Sequence, residues 1–192
     1  MAGKQAKILS SQQVESLLTF ADHHTRDGAR NRIIVLLSIK AGLRAGEIAK
    51  LTWDMVVDPN GDIGSVIELR NHAAKKGSGR LIPIHPELRE ALIEWLDRTG
   101  GRGPVVRSDR GGPMRPSSIV NWFAIAYRAV GLDGCSSHSG RRTFITRAAR
   151  LVHKAGGSLR DVQLLAGHQS IQTTQRYIDG DSDAQRRLVS LI

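Results

Sequence analysis

The chain of 192 residues carries 28 Lys and Arg against 18 Asp and Glu, a formal charge of +10, and 40% of its residues are apolar. That apolar share suffices for a buried core, and the positive surplus favours a polyanionic partner, nucleic acid first and an anionic membrane surface second. No run approaches the roughly 18 apolar residues a spanning helix needs, no signal-like apolar segment opens the sequence, and the single Cys135 excludes an intrachain disulfide and a thiolate-rich zinc site. A cytoplasmic protein without a membrane partner is the expectation that follows.

In chain order, residues 1–8 read as a basic lead-in. Ser10 with Gln13 three residues on has the form of a capping box, which predicts a helix from about Ser11 through Ala21. The segment Asn31 to Ala41 contains Ile33, Ile34, Leu36, Leu37 and Ile39; apolar nearly all round, it predicts a central helix, ended by Gly42. A short helical turn follows over Ala45 to Leu51, and Asp58-Pro59-Asn60-Gly61 is turn chemistry between extended pieces. Val66 to Leu69 and Leu81 to Ile84 flank the polar stretch Asn71 to Arg80, a pattern that predicts an antiparallel hairpin.

Pro86 suits the first turn of a helix reaching Arg98, with Leu88, Leu92, Ile93 and Leu96 at helical spacing. Beyond loops at Gly100 to Pro104 and Asp109 to Pro116, helices are predicted over Ser117 to Val130, His138 to Leu151, Leu159 to Ala166 and Ile171 to Tyr177. A last amphipathic piece, Ala184 to Ile192, closes the chain with Leu188, Val189, Leu191 and Ile192. The expected fold class is mixed α+β, mostly α-helical, with a small antiparallel sheet.

Some of the polar residues stand where phosphate chemistry would place them. A guanidinium donates two parallel hydrogen bonds, so it suits the non-bridging oxygens of a phosphoryl group on which charge develops. Arg44 sits at a helix junction with Glu47 three residues on, and His138 and Arg141 share a helix face if the helix has begun by then. Taken singly, the first pair is an ordinary i,i+3 ion pair and the second a solvated helix start. The chain has two tyrosines. Tyr127 falls in the apolar pattern of Trp122, Phe123, Ile125 and Ala126 and reads as core; Tyr177 lies in the polar stretch Gln172 to Arg176 and beyond, where a core tyrosine is out of place. A phenol becomes a competent nucleophile when its oxygen is oriented and cations meet its developing charge. Cys135, His138, His153 and His168 could be imagined as zinc ligands, but their spacing matches no zinc pattern.

In their order and approximate separation, Arg44 with Glu47, a Lys-bearing hairpin, His138-x-x-Arg141, Gly167-His168 and Tyr177 resemble the signature of the tyrosine recombinases, the phage integrase family, over nearly the whole chain from Leu9 to Tyr177. The resemblance implies that Arg44 and Arg141 grip a scissile phosphate in double-stranded DNA, that His138 and His168 add hydrogen bonds to it, and that Tyr177 attacks it. The family lysine, counted seven residues back from Ile82, is Lys75, the general acid for the departing 5′-oxygen; Lys76 is its rival, and alternation along an extended arm would let one of the two face the phosphate. Glu47 supports the arginines from behind. No metal, ATP or other cofactor is implied, and recombination implies a homotetramer on two DNA sites, with accessory DNA-bending proteins as further partners.

The same resemblance divides the chain into the lead-in 1–8, a breaking-and-rejoining domain at 9–180, and a C-terminal helix at 181–192 available for exchange with a neighbouring protomer. Gly140 departs from the family's common leucine and Arg142 from its frequent histidine. The separate N-terminal core-binding domain of many members has no counterpart in these 192 residues, as expected of a short stand-alone enzyme like the fimbrial-switch invertases or of a piece of a longer integrase. A type IB topoisomerase and a catalytically silent DNA-binding regulator are the alternatives on related chemistry and the same fold.

Overall fold

The computed structural model describes residues 6–177 together with 189, 190 and 192. The expected terminal helix 184–192 therefore lies mostly outside the described residues. Within them the elements run α1 (Ser11–His23), α2 (Gly28–Lys40), α3 (Ala45–Lys50), β1 (Val66–Leu69), β2 (Arg80–Pro83), α4 (Pro86–Thr99), α5 (Pro116–Ala129), α6 (Ser139–Leu151), α7 (Leu159–Ala166) and α8 (Ile171–Gln175). The strands form a two-stranded antiparallel sheet that pairs Val66 with Pro83 and Leu69 with Arg80. The mostly helical α+β class is thus the observed one, and among the described residues no helix is long and apolar enough to cross a membrane.

Helix α1 begins as its sequence predicts, with the Ser10 hydroxyl accepting from the Gln13 amide and the Gln13 side chain accepting from the Ser10 amide. Helix α2 starts three residues earlier than expected. Asp27 caps it by accepting from the Arg30 amide, and Gly28 lets its first turn press against the end of α1, where a Cβ would lie 2.4 Å from the Asp22 carbonyl oxygen. Once started, α2 is buried on every side: Ile34, Val35, Leu36 and Leu37 are fully inaccessible. It packs against α1, α4 and α6 and so forms the axis of the main core. A second, smaller core of Ile145, Ala149, Val152, Val162 and Ala166 joins α6 to α7, with Tyr177 packed at its edge.

Two glycines settle how closely α6 can approach the axis. Gly42 has φ +65°, and a Cβ there would run into the Phe144 ring at 2.4 Å; a Cβ on Gly140 would lie 2.3 Å from the Ser38 hydroxyl. Gly140, where the family commonly has leucine, is thus fitted to the surface of α2 in this chain. Its smallness brings the first turn of α6, with Arg141, against the end of α2.

The hairpin differs from its expectation in one respect that matters for the site. Residues 70–79 between the strands are no extended arm, because Lys75–Gly77 form a turn of 3-10 helix, with the Ser78 hydroxyl returning to the Lys75 carbonyl at 2.8 Å. The alternation of a flat strand, used to separate Lys75 from Lys76, does not apply there; a 3-10 turn advances about 120° per residue. A ten-residue connection containing Gly77 and Gly79 is long enough to fold on itself rather than prolong the ladder.

Candidate active site

Six side chains from five separate stretches of chain line one open pocket of about 500 Å³: Arg44, Lys75, His138, Arg141, His168 and Tyr177. Arg44 precedes α3, Lys75 comes from the hairpin loop, His138 and Arg141 open α6, His168 follows α7, and Tyr177 follows α8. The pairing of His138 with Arg141 on one face holds because the Arg142 amide already bonds back to the His138 carbonyl at 2.9 Å, so the first helical turn includes both.

Glu47 lies behind the pocket, 1% exposed. Its carboxylate accepts from Arg44 Nη1 at 2.8 Å and from the Arg44 amide at 3.0 Å, so the ion pair and the helix start are one structure. Burial alone would raise the Glu47 carboxyl, but the hydrogen bonds and charges of Arg80 and Arg44 overcome it and hold it down at about 2. Arg44 keeps 24% of its side chain exposed toward the pocket.

Arg141 is 3% exposed and spends its fork on two backbone carbonyls, donating from Nη1 to Gly42, just beyond α2, at 2.5 Å and from Nη2 to Ala166, at the end of α7, at 2.6 Å. Burial and the nearby Arg44 bring its value down to about 10, which leaves it charged at neutral pH. Nη2 also lies 3.2 Å from His168 Nε2. An arginine can only donate, so Nε2 is the acceptor, and His168 is the neutral tautomer whose Nδ1–H donates to the Thr174 hydroxyl at 2.9 Å. Desolvation and then the charges of Arg141, Arg44 and Arg80 lower His168 to about 4, in agreement with that tautomer. His138 is lowered too, by desolvation first and then by Arg141, Arg44 and Lys75.

The Tyr177 ring stacks on His168, with centroids 5.5 Å apart and planes at 25°, and the Arg142 guanidinium sits 5.8 Å from its centroid. Arg142, in place of the frequent histidine, therefore brings a cation against the phenol. Tyr127 is 1% exposed, stacked on Phe123 at 5.7 Å, and burial pushes its phenol up; it is core, as its apolar pattern predicts. The Lys76 side chain lies outside what is described.

Three arginines at the pocket have no site role that the sequence assigns. Arg142 and Arg176 also line it, and Arg80 lies behind it, donating Nη1 and Nη2 to the two oxygens of Glu47 and Nε to the Leu165 carbonyl. Arg80 ends the predicted polar loop and in the structure opens β2, a position where an arginine gives no sign of being buried; Thr174 likewise sits in a polar run with nothing to announce its bond to His168. Among the described residues no group of three or more His, Cys, Asp or Glu is gathered in a way that could hold a metal ion.

The arrangement predicts how stability responds to acid. His168 titrates lower folded than its ordinary 6.5, so an unfolded chain takes up the proton first; stability is full above about 6.5 and drains as pH falls toward 4. Glu47 has its carboxyl held at about 2 against 4.5, so its contribution is present above 4.5 and lost between 4.5 and 2. Each displacement corresponds to on the order of 3 kcal/mol at most. Urea unfolding at pH 7.5 and pH 4.5 should show a lower free energy at the acid value, and His168→Gln should shrink that difference. Equal stability of the native protein at both pH values would contradict the assigned tautomer.

The architecture superposes on solved recombinase structures. With the XerA recombinase the TM-score is 0.76 at 25% identity, covering 98% of this chain and 65% of that one. With a lambda integrase dimer bound to a COC' core site it is 0.72 at 20% identity, covering 92% and 49%. The fold is that of tyrosine-recombinase catalytic domains. In sequence the chain is 31% identical over 184 residues to the tyrosine recombinase XerC of Myxococcus xanthus, covering 89% of this chain and 57% of the relative. It is 29% identical over 160 residues to XerC of Brucella suis biovar 1 (strain 1330), covering 80% and 47%. The chain thus spans about half the length of these curated relatives. It belongs to the phage integrase family, whose model matches residues 7–183.

Proposed function

We propose that this chain is the strand-breaking and rejoining domain of a site-specific tyrosine recombinase acting on double-stranded DNA. The observation that carries the reading is the convergence of Arg44, Lys75, His138, Arg141, His168 and Tyr177 on one pocket. The Tyr177 oxygen attacks a backbone phosphorus, and His138, kept neutral by burial and Arg141, can accept the phenolic proton. Arg44 and Arg141 stabilise the charge developing on the non-bridging oxygens, His168 orients the phosphate, and Lys75 protonates the departing 5′-oxygen. The phosphodiester is exchanged for a 3′-phosphotyrosyl bond of similar energy, so a 5′-hydroxyl of a second strand can reverse the step without ATP or a metal. Residues 9–180 would form the catalytic unit and 181–192 a segment exchanged between protomers, four of which would assemble on two DNA sites. Accessory DNA-bending proteins would assist that assembly. Relatives of the same fold support the choice of DNA: a XerH site-specific recombinase is known bound to its difH substrate.

The direct test is adduct trapping. The protein is incubated in EDTA, without ATP, with a pool of nicked duplexes tiled across the sequence flanking its own gene, so that the short fragment beyond the nick diffuses away after cleavage. A protein–DNA adduct resistant to denaturant and sensitive to protease is the expected result. Failure of any duplex in the pool to give one would defeat the reading.

Binding should be largely electrostatic before a site is found, because lysines and arginines release counterions from the phosphates they neutralise. With about six phosphates neutralised, the plot of log K against log salt should fall with a slope of about −5. A nearly flat plot from fluorescence anisotropy would contradict a DNA-binding role for the surplus of positive charge.

A further inference from the structure

The proposed chemistry leaves Arg80 without a part, although all three nitrogens of its guanidinium are engaged. Its side chain is 6% exposed. The two Nη groups meet the two oxygens of Glu47 end-on at 3.2 and 3.0 Å, and Nε donates to the Leu165 carbonyl at 2.8 Å.

The partners are informative because of where they lie. Glu47 holds the Arg44 guanidinium and the Arg44 amide. Leu165 and Ala166 end α7, and Gly167 turns the chain through φ +61° into His168. That turn satisfies the Gln163 and Leu164 carbonyls with the amides of His168 and Gly167. The next two carbonyls are left to side chains: Leu165 receives Arg80 and Ala166 receives Arg141. A Cβ on Gly167 would lie 2.9 Å from Arg80 Nη1 and 3.1 Å from its Cδ, so the glycine of the Gly167-His168 pair is needed for this approach as well as for its backbone angle.

We propose that Arg80 is a positioning residue for the phosphate site: it clamps Glu47 and Arg44 on one side to the end of α7 and His168 on the other, fixing the spacing of Arg44, Arg141 and His168 around a single phosphate. This rests on the proposed strand-transfer reading. Arg80 touches neither DNA nor the nucleophile in this scheme. Its removal loosens Arg44 and lets the Gly167-His168 turn drift, and an ångström of drift is costly where catalysis depends on preorganised donors. Lysine cannot replace it, since an ammonium is a point charge that cannot meet both Glu47 oxygens in parallel while reaching the Leu165 carbonyl.

The test compares nicked duplexes carrying the trapped sequence with either an ordinary phosphodiester or a methylphosphonate at the scissile position. A methyl group in place of one non-bridging oxygen removes the phosphate charge that the arginines are positioned to meet. Arg80→Met should slow single-turnover cleavage of the phosphodiester by about 10²-fold and of the methylphosphonate by less than tenfold, each relative to native protein. Arg80→Lys should show the same selectivity in weaker form. Circular dichroism and thermal melting check the fold; should Arg80→Met unfold by stranding the Glu47 carboxylate, the double variant Arg80→Met/Glu47→Gln removes that charge and should retain the selectivity. Equal losses on both substrates in a folded variant would mean general destabilisation and overturn the proposal, as would unimpaired cleavage of the phosphodiester. Native protein that cleaves neither duplex would count against the strand-transfer reading itself, a result distinct from either of these.

Discussion

Tyr177→Phe is expected to eliminate the covalent protein–DNA adduct, a loss of at least about 10³-fold in denaturing gels, while leaving duplex affinity within about twofold. The substitution removes one oxygen and keeps the ring. The stack on His168 and the contact with Arg142 both involve the ring face, so the pocket should keep its shape and its cations. Tyr127→Phe is the matched control. Its phenol lies in the core with no path to a phosphate, and adduct formation should survive. Persistence of the adduct in Tyr177→Phe, or its loss in a folded Tyr127→Phe, would assign the nucleophile wrongly.

Lys75→Ala is expected to slow cleavage of ordinary DNA by roughly 10²-fold or more, the usual scale of a general-acid contribution. An alkoxide leaves poorly without a proton, whereas a thiolate leaves readily. On a substrate with sulfur at the 5′-bridging position, Lys75→Ala should therefore recover most of its lost rate. Lys75 faces the pocket, and its charge is among those that lower His138, which supports the choice more firmly than counting residues back from Ile82 does. Lys76→Ala should weaken binding modestly, in a salt-sensitive way, with no selective benefit from sulfur. Sulfur rescue confined to Lys76→Ala would shift the acid by one residue and leave the rest of the site intact.

The parts of this fold that sequence makes legible are those where one local rule dominates. The Ser10 and Gln13 box, the apolar cylinder of α2, the proline that opens α4 and the glycine that ends α7 each act over a few residues, and each element stands where its signal placed it to within a few positions. The site was legible as an ordered set of reactive residues on one chain. What could not be read was long-range. Asp27 and Gly28 extend α2 backwards by a contact with the end of α1, and the Lys75 turn folds on itself where alternation had been expected to continue. Arg80 lies 33 residues from Glu47 and 85 from Leu165; no periodicity or spacing rule joins positions so far apart. Gly140 and Arg142, departures when set against the family, acquire reasons only beside Ser38 and Tyr177.

The central claim is a bond between the Tyr177 oxygen and DNA, and the most direct measurement is the mass of the peptide that carries the nucleotide. Nuclease trimming of the trapped adduct followed by trypsin should leave the added 3′-phosphate and nucleotide on residues 177–186, a fragment with Tyr177 as its one tyrosine, and fragmentation should localise the mass to that ring. A phosphate-linked nucleotide on the peptide containing Tyr127, or on a serine or threonine hydroxyl, would contradict the account.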